Sequence, residues 1–231
     1  MQFKSDGTLK IMQITDMQEI PAISPDTLAL LDAAVEAEHP DLVIYTGDQI
    51  KGYGVTYKGK TKKELEAAVA KTITALLEPV TRRHIPFAVT FGNHDRQVGI
   101  SNADQFNDIY KSLPGCIGEQ AEGIPGGGTY AVPLTASDGS GRTVPSVGRP
   151  RWLITITAAP ASSAVRMAGT LATRRVSLVM RPFSSCGALR SLRIRTRLPA
   201  RRPSLASFSR VRTCMTCSPK GSAAHCAAQE T

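Results

Sequence analysis

Apolar and polar positions alternate between two periods along the first 115 residues. Residues 9–15, "LKIMQIT", form a short isoleucine-rich run that stops on Asp16, as a strand does. Ser24-Pro25-Asp26 then offers an N-cap residue, a proline for the first helical position and an acid for the first turn. Leu28, Leu31 and Val35 follow at helical spacing, with Leu30 and Ala34 beside them, until His39-Pro40 stops the helix. "DLVIYTGD" is a continuous apolar strand of the kind buried on both faces of a parallel sheet, and it ends on Asp48.

The unit repeats. Leu65, Val69, Ile73, Leu76, Leu77 and Val80 lie on one face of a long helix, and "IPFAVT" is a third strand that exits into Gly92-Asn93-His94-Asp95. A third helix is expected from Ser101, where Asp104 completes a capping-box spacing, with Phe106, Ile109 and Leu113 on its buried side. Strand, helix, strand, helix, strand with right-handed crossovers predicts a layered α/β sheet. Asp16, Asp48 and Asn93-His94 each fall at the carboxyl end of a predicted strand, the edge where open α/β sheets bind ligands.

Composition changes the picture for the last third. The net charge of +9 would invite a nucleic-acid partner if it were spread over the fold. Residues 1–150 instead hold 14 Lys and Arg against 18 Asp and Glu, whereas residues 151–231 hold 14 against 1. Thirteen of those 14 basic residues are arginines, four of the five cysteines lie there, and no acid occurs between Asp138 and Glu230. The chain is therefore expected to divide into an organised part, 1–145, and an Arg-rich segment, 146–231, without regular structure or a packed core. Translation of a GC-rich gene in a shifted reading frame is the expected origin of that segment, with a natural disordered basic tail as the alternative. No stretch has the length and apolarity of a transmembrane helix, and the start, "MQFKSDGTLKIMQ", lacks the layout of a secretory signal, so a cytoplasmic protein without a membrane partner is the expectation.

The chemistry of the sheet edge is specific. Carboxylates, an amide oxygen and an imidazole suit hard or borderline divalent metals, and two carboxylates make a bridged pair of ions feasible. Paired ions activate water and stabilise the attacking and leaving oxygens of a phosphoryl displacement. Phosphoester hydrolysis is the reaction that fits.

"ITDMQ", "TGDQ" and "FGNHD", in this order, resemble the first three motifs of the calcineurin-like metallophosphoesterase superfamily, in its purple-acid-phosphatase-related branch. The resemblance covers residues 3 to about 140 and includes "GIPGGGTYAVPL" and the Ser-Asp-Gly after it. It implies a β-sandwich flanked by helices, hydrolysis of a phosphoester substrate by a hydroxide held on two metals, and Mn, Fe, Zn or Mg as those ions. It further implies that Asp16 binds the first metal, Asp48 bridges both and Asn93 binds the second. His94 would contact the phosphate and protonate the leaving oxygen, with Asp95 orienting its ring. Gln18 stands where the family's Asp-x-His has histidine, and an amide oxygen is the weaker donor for zinc or iron. The family's later isolated histidine and Gly-His-x-His have no counterpart after Asp95, so an incomplete fold and impaired activity are expected.

Other features carry less. Gly126-Gly127-Gly128 is expected to be a flexible loop, because no helix follows to make it a phosphate cradle. Lys60, Lys62 and Lys63 read as the solvated start of a helix, His39 and His84 as solvent-facing residues beside prolines, and Cys116 as an incidental thiol. Cys214, Cys217, His225 and Cys226 match no standard zinc spacing. A non-catalytic protein that holds nucleic acid through its basic tail is the alternative function, disfavoured because Trp152, Phe183 and Phe208 are too scattered to stack on bases.

Overall fold

The computed structural model describes residues 1–5, 8–120, 122–123 and 127–134, together with the backbone of five later strands between residues 152 and 215. The expected alternation is present: β1 (Thr8–Thr15), α1 (Pro25–Glu38), β2 (Leu42–Thr46), α2 (Lys62–Thr81) and β3 (Phe87–Thr90). β1 pairs in parallel with β2, Ile11 opposite Leu42, and β2 in parallel with β3, Val43 opposite Phe87. Every residue of β2 and β3 is buried, which explains why both strands are unbroken apolar runs.

The helices cover that sheet with the faces their periodicity predicts. Leu31 and Val35 of α1 are buried, as are Val69, Ile73, Leu76, Leu77 and Val80 of α2. Each such side chain contributes about 1.5–3 kcal/mol when fully removed from water. Arg83 ties the end of α2 to α1 through Asp32 at 2.6 Å and Glu36 at 2.8 Å, and Arg82 also reaches Asp32. Thr61 and Glu64 cap α2 reciprocally, side chain to backbone in both directions. Lys62 and Lys63 open that helix in solvent, and His39 and His84 are both exposed.

The third helix is present but irregular. A short α3 (Asn102–Asp104), capped by Ser101 Oγ accepting from the Asp104 N–H at 3.0 Å, widens into a π-turn over Gln105–Ile109 and tightens over Tyr110–Ser112. Phe106 and Ile109 are buried and Leu113 is half-buried. The widened turn lets Gln105 Nε2 donate to the carbonyls of Asp95 and Ile100, at 2.9 and 3.1 Å.

β3 lies at the edge of its sheet, and its outer side is closed by other segments. Phe87 donates to the Gly115 carbonyl at 2.8 Å and accepts from the Ile117 N–H at 2.9 Å. Farther along, one phenol serves both groups of Val89: Tyr130 Oη accepts its N–H at 2.6 Å and donates to its carbonyl at 2.8 Å. Tyr130 belongs to β4 (Tyr130–Pro133), the first strand of a second, antiparallel sheet.

Gly127 and Gly128 are buried, contrary to the expected flexible loop; Gly126 lies outside the described residues. A Cβ on Gly127 would stand 2.5 Å from the Asn102 carbonyl oxygen, and Gly128, at φ +80°, lies against Thr90 and Phe91. The glycines allow this segment to pass close to α3 and β3.

The segment expected to lack regular structure contributes strand backbone: β5 (Trp152–Thr157), β6 (Ala164–Leu171), β7 (Arg174–Met180), β8 (Ala188–Arg195) and β9 (Phe208–Met215). The sheets run β3-β2-β1-β8-β9 and β4-β5-β6-β7, with β8 antiparallel to β1. Alternations such as "ITIT" and "LRIR" suit a pleated backbone whatever the charge balance. The expected lack of a packed core there concerns side chains outside the described residues, as do the roles of Cys214, Cys217, His225 and Cys226. No helix among the described residues is long and apolar enough to cross a membrane.

Candidate functional site

Because β1, β2 and β3 run parallel, the loops that follow them share one edge of the sheet. The first two loops are joined beyond the strand ends. The Asp16 N–H donates to Gly47 O at 3.0 Å, Gln18 to Asp48 O at 2.8 Å, Glu19 to Gln49 O at 3.0 Å, and Lys51 back to Glu19 O at 2.9 Å. Asp16, Gln18 and Asp48 all take left-handed backbone, at φ 57°, 48° and 55°. A non-glycine residue held there costs on the order of 1–3 kcal/mol, and such strain concentrates at functional sites.

The third loop locks onto the second. Asp48 Oδ1 accepts the His94 N–H at 2.7 Å. A Cβ at Gly92 would lie 2.1 Å from that same oxygen, so only glycine lets the carboxylate come this close. Gly52 plays the matching part, since its Cβ would stand 2.1 Å from the His94 carbonyl oxygen.

Asp95 is fully buried and accepts three backbone amides: Asp48 N–H at 2.7 Å and Gly92 N–H at 2.8 Å on Oδ2, and Ile50 N–H at 3.1 Å on Oδ1. Burial pushes its carboxyl up to about 6, with the Asp48 charge adding to the rise and the three amides opposing it. The expected role of Asp95 as the group orienting the His94 ring is corrected by these contacts. His94 Nδ1 instead meets Gln97 Oε1 at 2.9 Å, and with that oxygen accepting, Nδ1 carries the proton and Nε2 is left for a ligand. The physical cause is the tight turn over Asp95–Val98, which turns the Asp95 side chain inward among the loop amides.

Charge links the three loops. Burial is the largest influence on the Asp16 carboxyl and raises it; the Thr15 hydroxyl, donating at 2.6 Å, opposes this, Asp48 raises it further and His94 lowers it. Asp16, Asp48 and His94 therefore lie within electrostatic reach of one another. Asn93, between Gly92 and His94 in the third loop, is exposed.

Tyr53 is a member of the site that the sequence does not single out. Its hydroxyl donates to Gln18 Oε1 at 2.8 Å, and its ring centroid lies 4.6 Å from that of His94. Lys51 Nζ stands 5.1 Å from the same Tyr53 centroid. Tyr53, the first of two tyrosines in the stretch "KGYGVTYKGK", carries no periodic signal, and only its closeness to Gly47-Asp48 hints at the edge.

The three loops bring to this edge two carboxylates, the side-chain amides of Gln18 and Asn93, and the His94 imidazole. Two carboxylates within each other's field, one of them raised by burial and by its neighbour, favour a nearby cation, and oxygen donors suit a hard divalent ion. Among the described residues no three His, Cys, Asp or Glu gather into one group. The donor types suit a hard ion, while an assembled metal group is absent among the described residues.

The model of the calcineurin-like phosphoesterase family matches residues 9–160, which include all three loops. The chain belongs to that family. Among curated relatives, probable inactive purple acid phosphatase 29 of Arabidopsis thaliana is 28% identical over 155 residues, covering 58% of this chain and 37% of the relative. Probable inactive purple acid phosphatase 14 of the same plant is 26% identical over 135 residues, with 52% and 31% covered. Phosphatase DCR2 of Saccharomyces cerevisiae is 27% identical over 129 residues, with 49% and 20% covered. The chain spans between 20% and 37% of the length of these three relatives. No solved structure matches the chain at a significant level. As a calcineurin-like phosphoesterase, the chain carries its similarity to purple acid phosphatases on the part that holds the described loops.

Proposed function

We propose that this calcineurin-like phosphoesterase binds a hard divalent cation through Asp16, Asp48, Gln18 and Asn93 and hydrolyses a phosphoester slowly. The observation that carries the reading is the junction of the three loops at Asp48: its carbonyl accepts the Gln18 N–H, its carboxylate accepts the His94 N–H and its own N–H is held by Asp95. When bound, the cation supplies polarisation of water and of the phosphoryl oxygens. His94, its ring held through Nδ1 by Gln97, would act with a proton on both ring nitrogens, Nε2–H facing the phosphate and passing its proton to the leaving oxygen. Asp95 keeps the loops in register. The amide at Gln18 and relatives whose names include both "inactive" and "phosphatase" support slow rather than efficient turnover.

The test is hydrolysis of p-nitrophenyl phosphate by the full chain with and without Mn(II), alongside direct measurement of Mn(II) uptake. Slow, Mn(II)-dependent hydrolysis is expected, reduced to background by Asp48→Asn and about 100-fold by His94→Ala. A chain that neither takes up Mn(II) nor hydrolyses the ester would overturn the proposal.

A further inference from the structure

We propose that Tyr53 is a positioning residue, whose hydroxyl holds the Gln18 amide oxygen as a metal donor at the place where the resembling motif has histidine. The inference rests on the metal-binding reading above and goes further by explaining how an amide can serve there.

A glutamine is a poor ligand for two reasons. Its amide can present either oxygen or nitrogen to a cation, and its side chain must give up several rotors to stay in place. The structure supplies a remedy. The phenol hydroxyl lies 2.8 Å from Gln18 Oε1 and donates to it, which holds the amide in place and leaves that oxygen's second lone pair for a cation. The Gln18 backbone is fixed as well, at φ 48°, by its N–H bond to Asp48 O at 2.8 Å.

Tyr53 is in turn held by its surroundings. Its ring lies 4.6 Å from the His94 ring at an interplanar angle of 50°, and Lys51 Nζ approaches the ring to 5.1 Å. A cation near the ring draws electron density from the phenol and strengthens the hydroxyl as a donor. Gly52, between Lys51 and Tyr53, permits the close approach to the His94 carbonyl that brings the ring alongside. The phenol thus connects the Gln18 loop to the His94 loop, whereas Asp48 and Asp95 connect them through backbone.

The experiment measures Mn(II) binding to the full chain by the electron paramagnetic resonance signal of the free ion, so it does not depend on turnover. Tyr53→Phe keeps the ring and removes only the hydroxyl. It should weaken Mn(II) binding by about tenfold, the usual cost of losing a group that orients a ligand. Its melting temperature without metal should stay unchanged. Gln18→Ala should weaken binding by a similar factor, and adding Tyr53→Phe to it should cost no more. In a Gln18→His background, Tyr53→Phe should change the affinity less than about twofold, because the amide oxygen that the phenol holds is no longer there. Unchanged or tighter binding by Tyr53→Phe, or equal losses with Gln18 in place and in the Gln18→His background, would overturn the role of Tyr53 while leaving the metal site standing. Absence of Mn(II) binding by the unsubstituted chain would overturn both.

Discussion

At the residue scale, the site depends on a few positions where one atom more or less decides the geometry. Gly92→Ala would drive a methyl group into Asp48 Oδ1, so we expect it to displace that carboxylate, cost about 1–3 kcal/mol and abolish Mn(II) uptake, as read by urea unfolding and metal titration. Asp95→Ala would strand three buried N–H groups and is expected to cost about 3 kcal/mol or more, measured as a lower urea midpoint. The placement of Asp16, Asp48 and His94 on one sheet edge is legible in the sequence because each follows an apolar run. The role of Asp95 is not, because adjacency in the chain suggests a partner for His94 and the tight turn sends the carboxylate elsewhere. Tyr53 escapes sequence reasoning for a related reason: its partners, Gln18 and His94, are 35 and 41 positions away in the sequence.

At the element scale, what the apolar period specifies is present and what depends on local hydrogen bonds is less evident. β1, α1, β2, α2 and β3 follow from runs and helical faces, since burial on both sides of a sheet leaves little freedom in residue type. The capping box at Thr61 and Glu64 has a readable spacing, although the lysines around it dominate the stretch. The π-turn over Gln105–Ile109 has no such signature, because what accompanies it is a long-range contact of Gln105 with the Asp95 and Ile100 carbonyls. The outer edge of β3 gives a test at this scale. Tyr130→Phe would leave the Val89 N–H and carbonyl without their partner, and we expect a loss of about 1–3 kcal/mol in urea unfolding, accompanied by faster amide exchange at Val89.

At the scale of the whole molecule, metal and stability should be coupled. A cation that binds the folded chain alone adds about 2.7 kcal/mol at 100 times its dissociation constant. Mn(II) should therefore raise the melting temperature by several degrees, EDTA should reverse the rise, and Asp16→Asn should remove it. The division of the chain at 145 rests on charge and composition, which report on partners and solubility more than on backbone pairing. In the described backbone β8 pairs with β1 and β5 with β4. The left-handed turns at Asp16 and Gln18 also bear on any attempt to engineer this protein. Glycine adopts φ near 50° without strain, so replacing Gln18 with glycine should relieve on the order of 1 kcal/mol in the metal-free chain. A directed-evolution campaign scored on heat tolerance alone would thus favour variants that lose the donor oxygens, and only a metal-binding counter-screen would keep the sheet edge chemically competent.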